Sequence, residues 1–145
     1  MTKDHSMMPI TLLDKLNTPG AGYDLIRYIG LPDLFGNETH TMLYFMGKNL
    51  ARKFEIQAVS DIIYAFEKLG WGQLELLSEQ KDKLTFQLMA DSVVYRLTAP
   101  IETEFRLESG FLAASVEKIN SNSCECHEDI HKKVHLVEFT VTYTD

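Results

Sequence analysis

Residues 59–77 read VSDIIYAFEKLGWGQLELL and contain the change of pattern that decides the fold. The first part of this stretch places apolar side chains at helical spacing, at Val59, Ile62, Ile63, Phe66 and Leu69. Gly70 follows them, and glycine is the residue best suited to end a helix in the left-handed conformation. Beyond it, Leu74 and Leu76 alternate with polar neighbours, so the period falls from about 3.6 residues to about 2. The stretch therefore predicts a helix followed directly by a strand.

The alternation continues toward the C-terminus and predicts further strands. Apolar residues alternate again over 84–88 after a polar turn, which makes residues 74–89 a β-hairpin. A short third strand is predicted where three apolar residues alternate before Pro100, namely Val93, Tyr95 and Leu97. The clearest alternation lies in residues 136–143, which we predict to be the last strand.

Toward the N-terminus the pattern is helical. Residues 9–16 predict a short helical turn, and residues 23–29 predict an amphipathic helix that Gly30-Leu31-Pro32 breaks or kinks. Thr39 is placed to cap the next helix. The apolar face of that helix is predicted to consist of Met42, Phe45, Met46 and Leu50.

One more helix is predicted after the third strand, over residues 105–120. Helices come first and most strands come later, which favours an α+β fold over alternating βαβ units. We therefore expect N-terminal helices packed on one side of an antiparallel sheet formed by the hairpin and the C-terminal strand. A chain of 145 residues suits a single core, so residues 9–145 are predicted to form one domain behind a disordered terminus at 1–8.

Composition excludes several classes of partner. The net charge is −7, from 21 acidic and 14 basic side chains, which disfavours binding to nucleic acid. No run of about 18 apolar residues exists, so membrane insertion is not expected. Cys124 and Cys126 are the two cysteines, and they are too close along the chain to form an unstrained disulfide. A reducing cytoplasmic location fits this usage.

A set of short motifs, taken in order, resembles a known family. They are Leu31-Pro32-Asp33, Leu50-Ala51-Arg52-Lys53-Phe54, Gly70-Trp71-Gly72, Asp91-Ser92, Glu108-Ser109-Gly110-Phe111-Leu112-Ala113 and Glu138-Phe139. Over residues 23–143 the chain resembles the YslB-like family of uncharacterised proteins from Gram-positive bacteria. That family is distantly similar to 4-vinyl-reductase-type small-molecule-binding domains and to the TRAPP tethering subunits.

The resemblance implies an antiparallel sheet with helices on one side, frequent homodimerisation and an apolar cavity for a hydrophobic ligand. Vinyl-reductase-type domains usually carry a cysteine pair around a Gly-Asp turn before their last strand. Residues 127–137 occupy that place here and contain neither a cysteine nor Gly-Asp. A ligand or metal role tied to that pair is therefore not carried over.

Two groups of residues are candidates for a hydrophobic ligand site. Met42, Phe45 and Met46 could line an adaptable apolar pocket, although the same spacing is typical of plain core. In the helix over 105–120, small residues leave one side nearly bare, and a ligand could contact Gly110, Phe111 and Ala114 there.

The bare face of this helix also predicts a homodimer. Gly110, Ala113 and Ala114 would let a second backbone approach closely, and most soluble oligomers are two-fold symmetric. The alternative is that the helix over residues 42–50 of the same chain occupies this face.

The chain offers one cluster of metal-ligand types, Cys124, Cys126, His127 and His131. Thiolate and imidazole are the donors that zinc prefers. The alternative is a polar loop that happens to contain these residues, since the strand predicted after it would turn the histidines to different faces.

No catalytic motif is found, such as a phosphate-binding glycine loop, Gly-x-Ser-x-Gly or His-Glu-x-x-His. Paired acids such as Glu102 and Glu104 are interpreted as a solvated face. The sequence therefore predicts a binding module without enzymatic activity and without a cofactor. Its ligand would be a hydrophobic small molecule, or it would dock another protein as a homodimeric adaptor.

Overall fold

The structure is a computed structural model and describes residues 7–15 and 20–144. It confirms the mixed α+β architecture with an antiparallel sheet. Strands β1 (Gln73–Glu79) and β2 (Lys83–Met89) form the predicted hairpin, and the last strand, β4 (Leu136–Tyr143), has the predicted bounds. The helix before the hairpin, α4 (Val59–Lys68), is confirmed as well, and Gly70 follows it with a φ of +77°.

The N-terminal part begins with a 3-10 helix, Ile10–Lys15. A continuous helical run follows, made of α1 (Ala21–Leu25), a π-helical turn (Ile26–Gly30) and α2 (Leu31–Phe35). The chain is not broken at Gly30-Leu31-Pro32, and the irregularity there is the π-helical turn that ends at Gly30. Pro32 lies in the first turn of α2, where a missing N–H costs little, and the π-helical turn precedes it.

Before this run, Met8 is held by backbone hydrogen bonds. Its N–H donates to the Lys53 carbonyl (2.8 Å), and its own carbonyl accepts from the Glu55 N–H (3.1 Å). Residues 1–6 of the terminus predicted at 1–8 lie outside the described residues.

A 3-10 turn, Gly36–Glu38, leads into helix α3 (Thr39–Ala51). Thr39 is the first residue of this helix and not its cap; its hydroxyl donates to the Gly36 carbonyl (2.8 Å). The predicted apolar face is wrong, because Met42, Phe45 and Met46 are 37%, 53% and 41% exposed. The face that α3 buries instead includes Leu43, Tyr44, Gly47, Lys48 and Ala51.

The segment predicted as a third strand is helix α5 (Asp91–Thr98). Val93 and Arg96 are buried along it, whereas Tyr95 is 71% exposed. Valine and tyrosine are enriched in strands, but this preference is small and depends on context, and the buried residues Val93 and Arg96 are at helical spacing.

Helix α6 (Arg106–Asn120) confirms the last predicted helix and is the centre of the fold. It packs against α3 on one side and against β3 and β4 on the other. Every residue from Leu107 to Val116 is buried. The helix is capped at its C-terminus by Ser121, whose φ of +59° is left-handed.

The segment interpreted as a polar loop is strand β3 (Cys124–His131). It pairs antiparallel with β4 from Cys124 opposite Tyr143 to His131 opposite Leu136. The sheet order is β1-β2-β4-β3, so β3 is an edge strand. Charged residues on an edge strand hinder pairing with other chains, which explains why β3 looks polar in sequence.

One face of the sheet carries the core. Phe86, Phe139 and Val141 are fully buried there, and the rings of Phe66, Trp71 and Phe111 meet edge to face above the sheet at centroid distances of 5.1–6.0 Å. Among residues 7–15 and 20–144, no helix is both long and apolar enough to cross a membrane.

Candidate functional site

Four charged side chains form an ionic cluster between the N-terminal helical run, α5 and α6: Arg27, Arg96, Glu104 and Glu108. Arg27 Nη2 lies 2.6 Å from Glu108 Oε1, and its Nε lies 2.9 Å from Glu104 Oε2. Arg96 Nη1 lies 2.6 Å from the other carboxylate oxygen of Glu108. One carboxylate therefore holds two guanidinium groups from different parts of the chain.

Glu108 is completely buried, which by itself would favour the neutral carboxyl. Burial raises its pKa, but the charges and hydrogen bonds of Arg27 and Arg96 outweigh burial and lower the pKa from 4.5 to about 2. Glu108 is consequently ionised at neutral pH.

The π-helical turn brings Arg27 into this cluster. Arg27 and Tyr28 are buried, whereas Leu25, Ile26 and Ile29 are 58%, 63% and 46% exposed. The helix predicted at residues 23–29 thus exists but turns its apolar side outward. Such turns often occur where a helix must reposition functional side chains.

A cleft of about 430 Å³ opens beside the cluster. Its walls come from the N-terminal helical run, the end of α4 with the Gly70-Trp71 turn, α5, and the segment after α5. Four aromatic residues line it, Tyr23, Tyr28, Trp71 and Tyr95, together with Ser92, Arg96, Ala99, Ile101 and others. This size and aromatic lining are typical of small-molecule sites.

Arg96 belongs both to the cluster and to the wall of the cleft. It is 8% exposed, and its guanidinium lies 4.4 Å from the centroid of the Phe105 ring. Nη2 donates to the Trp71 carbonyl (2.6 Å), and Nη1 donates to Glu108 and, at 3.3 Å, to the Tyr28 hydroxyl. Among the described residues, its buried Nε has no hydrogen-bond partner.

Tyrosine hydroxyls complete the polar part of the wall. Arg27 Nη1 donates to the Tyr23 hydroxyl (2.9 Å), and the Tyr28 hydroxyl donates to the Glu104 carbonyl (3.4 Å). Burial raises the pKa of Tyr28 to about 12 and also raises that of Tyr23. Both phenols are therefore neutral at physiological pH.

A second cleft of about 630 Å³ lies on the other side of the segment after α5. Tyr28, Ala99, Ile101 and Thr103 line both clefts. Apart from these shared residues, the second cleft is lined largely by polar and charged side chains, among them Arg27, His40, Glu102, Glu104 and Lys132. The first cleft is the better candidate for a hydrophobic molecule.

The predicted ligand residues do not meet in a pocket. Met42, Phe45 and Met46 are exposed on α3, whereas Gly110, Phe111 and Ala114 are buried in α6. A Cβ on Gly110 would lie 1.9 Å from the Tyr44 carbonyl oxygen, so α3 occupies the bare face of α6. The alternative prediction, in which the helix over residues 42–50 of the same chain covers this face, is therefore the one that agrees with the structure. With α3 in place, this face is not open to a ligand or to a second copy of the chain.

The predicted metal ligands are separated by the alternation of β3. Cys124 and Cys126 are buried on the core side, and His127 and His131 are exposed. Burial raises the pKa of both thiols, that of Cys124 to about 12. Within the described ranges, no group of three or more His, Cys, Asp or Glu side chains is arranged to hold a metal ion.

The Cys124–Cys126 region instead joins β3 to α3. The Cys126 N–H donates to the Tyr44 hydroxyl (2.9 Å), that hydroxyl contacts Glu125, and Lys48 Nζ lies 2.8 Å from Glu125 Oε1. These contacts satisfy polar groups at the edge of the sheet, which is a structural role.

Sequence reasoning missed the residues that build the cleft. Arg27 and Glu108 are 81 positions apart, and no local pattern links them. Glu104 was interpreted as part of a solvated face, but it binds Arg27 and is only 12% exposed. The available signal was the Gly70-Trp71-Gly72 motif, which contributes two residues to the cleft.

Comparison with known proteins identifies relatives of the whole domain. The model of the family described as "Protein of unknown function (DUF2507)" matches residues 20–142. The chain is 35% identical over 131 residues to the uncharacterized protein YslB of Bacillus subtilis (strain 168), an alignment that covers 90% of this chain and 88% of that protein. The predicted YslB-like resemblance is confirmed.

Among solved structures, the fold is similar to a crystal structure of a vinyl-4-reductase family protein from Methanocaldococcus jannaschii. The TM-score is 0.71 and the alignment covers 94% of this chain and 88% of that one, at 17% sequence identity. This likeness confirms the predicted vinyl-reductase-type fold.

Proposed function

We propose that this chain, which belongs to the DUF2507 family, is a cytoplasmic binding domain for a hydrophobic small molecule held in the 430 Å³ cleft. The observation that carries the proposal is the convergence of four aromatic side chains, Tyr23, Tyr28, Trp71 and Tyr95, on one cleft with a buried arginine in its wall. Aromatic rings supply large contact areas for an apolar ligand, and a single polar group fixes its orientation.

The charged groups support binding over acid–base catalysis. A general acid or base works best with a pKa near the operating pH. Here the lowered pKa of Glu108 and the raised pKa values of Tyr23, Tyr28 and Arg96 all move away from neutrality. The proposed activity is therefore ligand binding without turnover.

The likeness to a vinyl-4-reductase family protein concerns the fold alone. The word reductase in that name describes that protein and not this chain. For this chain the proposal depends on the cleft. The free thiols of Cys124 and Cys126 are compatible with a reducing cytoplasm.

Native mass spectrometry of freshly purified protein tests the proposal. We expect a retained molecule that adds a discrete mass to the chain. Ser92→Leu places an apolar side chain in the cleft and should abolish the added mass. Thr98→Leu introduces the same side chain at an exposed position of α5 outside the cleft and should keep the added mass. An adduct retained equally by both variants would contradict binding in this cleft.

A second candidate function is homodimeric docking without a ligand. More than half of the large hydrophobic side chains that the described residues expose lie between Tyr23 and Met46. On α3, Met42, Phe45 and Met46 form one such surface at helical spacing, opposite the face that contacts α6. Contiguous exposed apolar surface of this kind is typical of protein interfaces.

A further inference from the structure

We propose that the N-terminal helical run docks an amphipathic helix of another protein, one whose apolar side is flanked by lysines or arginines. The docking surface is the outer stripe, which we define as Leu25, Ile26 and Ile29. The stripe is exposed to solvent, whereas the neighbouring Tyr28 is buried and lines the cleft. The inference goes beyond the proposed function and does not depend on a ligand in the cleft.

The first observation is that the run exposes large aliphatic side chains along its length. Leu25 and Ile26 are 58% and 63% exposed, Ile29 follows Leu25 by four residues, and Leu34 near the end of the run is 76% exposed. Residues four apart on a helix are neighbours on one face. A single exposed leucine is ordinary, but an apolar surface that continues over several turns is typical of a contact with another protein.

The second observation is that the ionic cluster holds the outer stripe toward solvent. Arg27 is buried on the other side of the run, and its guanidinium donates to the carboxylates of Glu104 and Glu108 at distances of 2.6–3.0 Å. Rotating the run to bury the stripe would leave Glu108 with Arg96 alone, which is costly for a buried charge. The cluster therefore keeps the stripe available to another molecule.

The charges around the stripe indicate the chemistry of the partner. Among residues 20–47, Arg27 is the only lysine or arginine, and its charge is neutralised within the ionic cluster. The charges that this stretch presents to solvent are acidic, because Asp33 and Glu38 are exposed and Asp24 is half-buried. Asp33 lies one turn beyond the stripe. Basic side chains of a partner would be attracted to this acidic rim.

The length of the run suits a helical partner. From Ala21 to Phe35 the run is continuous, and at 1.5 Å per residue it is about 22 Å long. A partner helix of about the same length can lie along it, with its apolar ridge packed against the outer stripe. Its lysines or arginines would then lie beside the acidic rim.

The same acids disfavour two other occupants of the stripe. In a two-fold contact between copies of this chain, the ends of the run near Asp24 and Asp33 would meet acidic ends of the second copy, whether the runs are parallel or antiparallel. An anionic membrane surface would be repelled in the same way. A basic amphipathic helix supplies both the apolar contact and the opposite charge.

Fluorescence anisotropy with two labelled model peptides of about 15 residues tests the inference. The first contains only leucine and lysine, with leucines at helical spacing, and the second has glutamate in place of every lysine. Ile26→Glu places a charge on the outer stripe, and Leu77→Glu makes the matched change at an exposed position of β1. Asp33→Lys reverses a charge of the rim, and Glu75→Lys on β1 changes the net charge equally.

We expect the leucine–lysine peptide to bind the parent at least about tenfold more tightly than the leucine–glutamate peptide. Ile26→Glu should weaken binding of the leucine–lysine peptide by at least about tenfold, and Asp33→Lys by about fivefold. The two variants on β1 should stay within about twofold of the parent.

Several results would overturn the inference. They are no binding of the leucine–lysine peptide to the parent, equally tight binding of both peptides, or equal losses in the variants of the run and of β1. Light scattering that shows a dimer which Ile26→Glu converts to monomer would assign the stripe to a second copy instead. Flotation of the parent with phosphatidylcholine vesicles, abolished by Ile26→Glu, would assign it to a membrane surface.

Discussion

The backbone carbonyl oxygen of Tyr44 lies where a side chain on Gly110 would begin, only 1.9 Å from the position of a Cβ. The contact is reciprocal, because a Cβ on Gly47 would lie 2.1 Å from the Leu107 carbonyl oxygen. Helices α3 and α6 therefore touch backbone to backbone at two glycines. This contact fixes α6, which presents Glu108 to both arginines of the cluster.

Gly110→Ala should lower the free energy of unfolding by about 3 kcal/mol, because the methyl group can be accommodated only if α3 and α6 separate. Gly22→Ala in α1 is the matched control, since among the described residues nothing lies within 4 Å of a Cβ there. That control should change stability by less than about 1 kcal/mol. Urea denaturation measures both variants, and equal effects would contradict the backbone contact.

The stability of the protein should fall steeply in acid because of Glu108. Its pKa is about 2 in the folded protein against an ordinary value of 4.5. A carboxylate with a lowered folded pKa contributes stability above its unfolded pKa, and the contribution is lost as the pH falls from about 4.5 toward about 2. The difference corresponds to about 3 kcal/mol, which unfolding curves at several pH values between these limits would measure.

The control for this prediction is a pair of variants. Glu108→Gln leaves the buried guanidinium of Arg96 without a carboxylate and that of Arg27 with Glu104 alone, and it should cost about 3–5 kcal/mol at pH 7. Its stability should also decrease much less in acid than that of the parent. Glu102→Gln, at an exposed position nearby, should preserve both the stability and the acid dependence. An unchanged acid dependence in Glu108→Gln would assign that dependence to other carboxyls.

The thiols should be almost inert in the folded protein. Burial raises the pKa of Cys124 to about 12 and also raises that of Cys126, and the thiolate is the reactive form. We expect iodoacetamide at pH 7.5 to modify both cysteines at least on the order of a hundredfold more slowly in the folded protein than in urea. Rapid modification of either thiol without denaturant would show that β3 opens readily at its edge.

The parts of the fold that the sequence predicts well have one strong local period. Residues 59–69 and 136–143 carry an unambiguous helical or alternating pattern, and the turn at Gly70 marks where one gives way to the other. Residues 93–97 fit both a strand and a short helix, so only tertiary contacts decide between them. Strand β3 was missed because its exposed side carries the polar residues of a sheet edge.

The cleft could not be predicted for a different reason. Its polar wall depends on ion pairs between Arg27 and Glu108 and between Arg96 and Glu108, which join separate elements, and an isolated arginine in a sequence is normally a surface residue. The face of α3 was assigned incorrectly because Gly47 and Gly110 decide which side approaches α6. Hydrophobicity alone favours the side with Met42 and Phe45.

If the chain forms a homodimer, the exposed face of α3 is where we expect the contact. Light scattering after size exclusion should then give twice the chain mass of 16.6 kDa. Phe45→Glu places a charge on that face and should shift the protein to monomer without loss of thermal stability, because Phe45 is 53% exposed. The control variant is Glu79→Gln, at an exposed position on β1, and it should keep the mass of the parent. Glu125 is not suitable as a control because it pairs with Lys48. A monomer at all concentrations up to about 100 µM, well above typical affinities of stable interfaces, would rule this function out.

The fluorescence of Trp71 tests small-molecule binding most directly, because Trp71 is the single tryptophan of the chain and lines the cleft. Titration with 2-acetylnaphthalene should change its emission along a single-site saturation curve. Ser92→Leu should weaken binding by at least about tenfold, whereas Thr98→Leu should reproduce the parent curve. A change in emission that does not saturate, or identical curves for Ser92→Leu and the parent, would contradict ligand binding in this cleft.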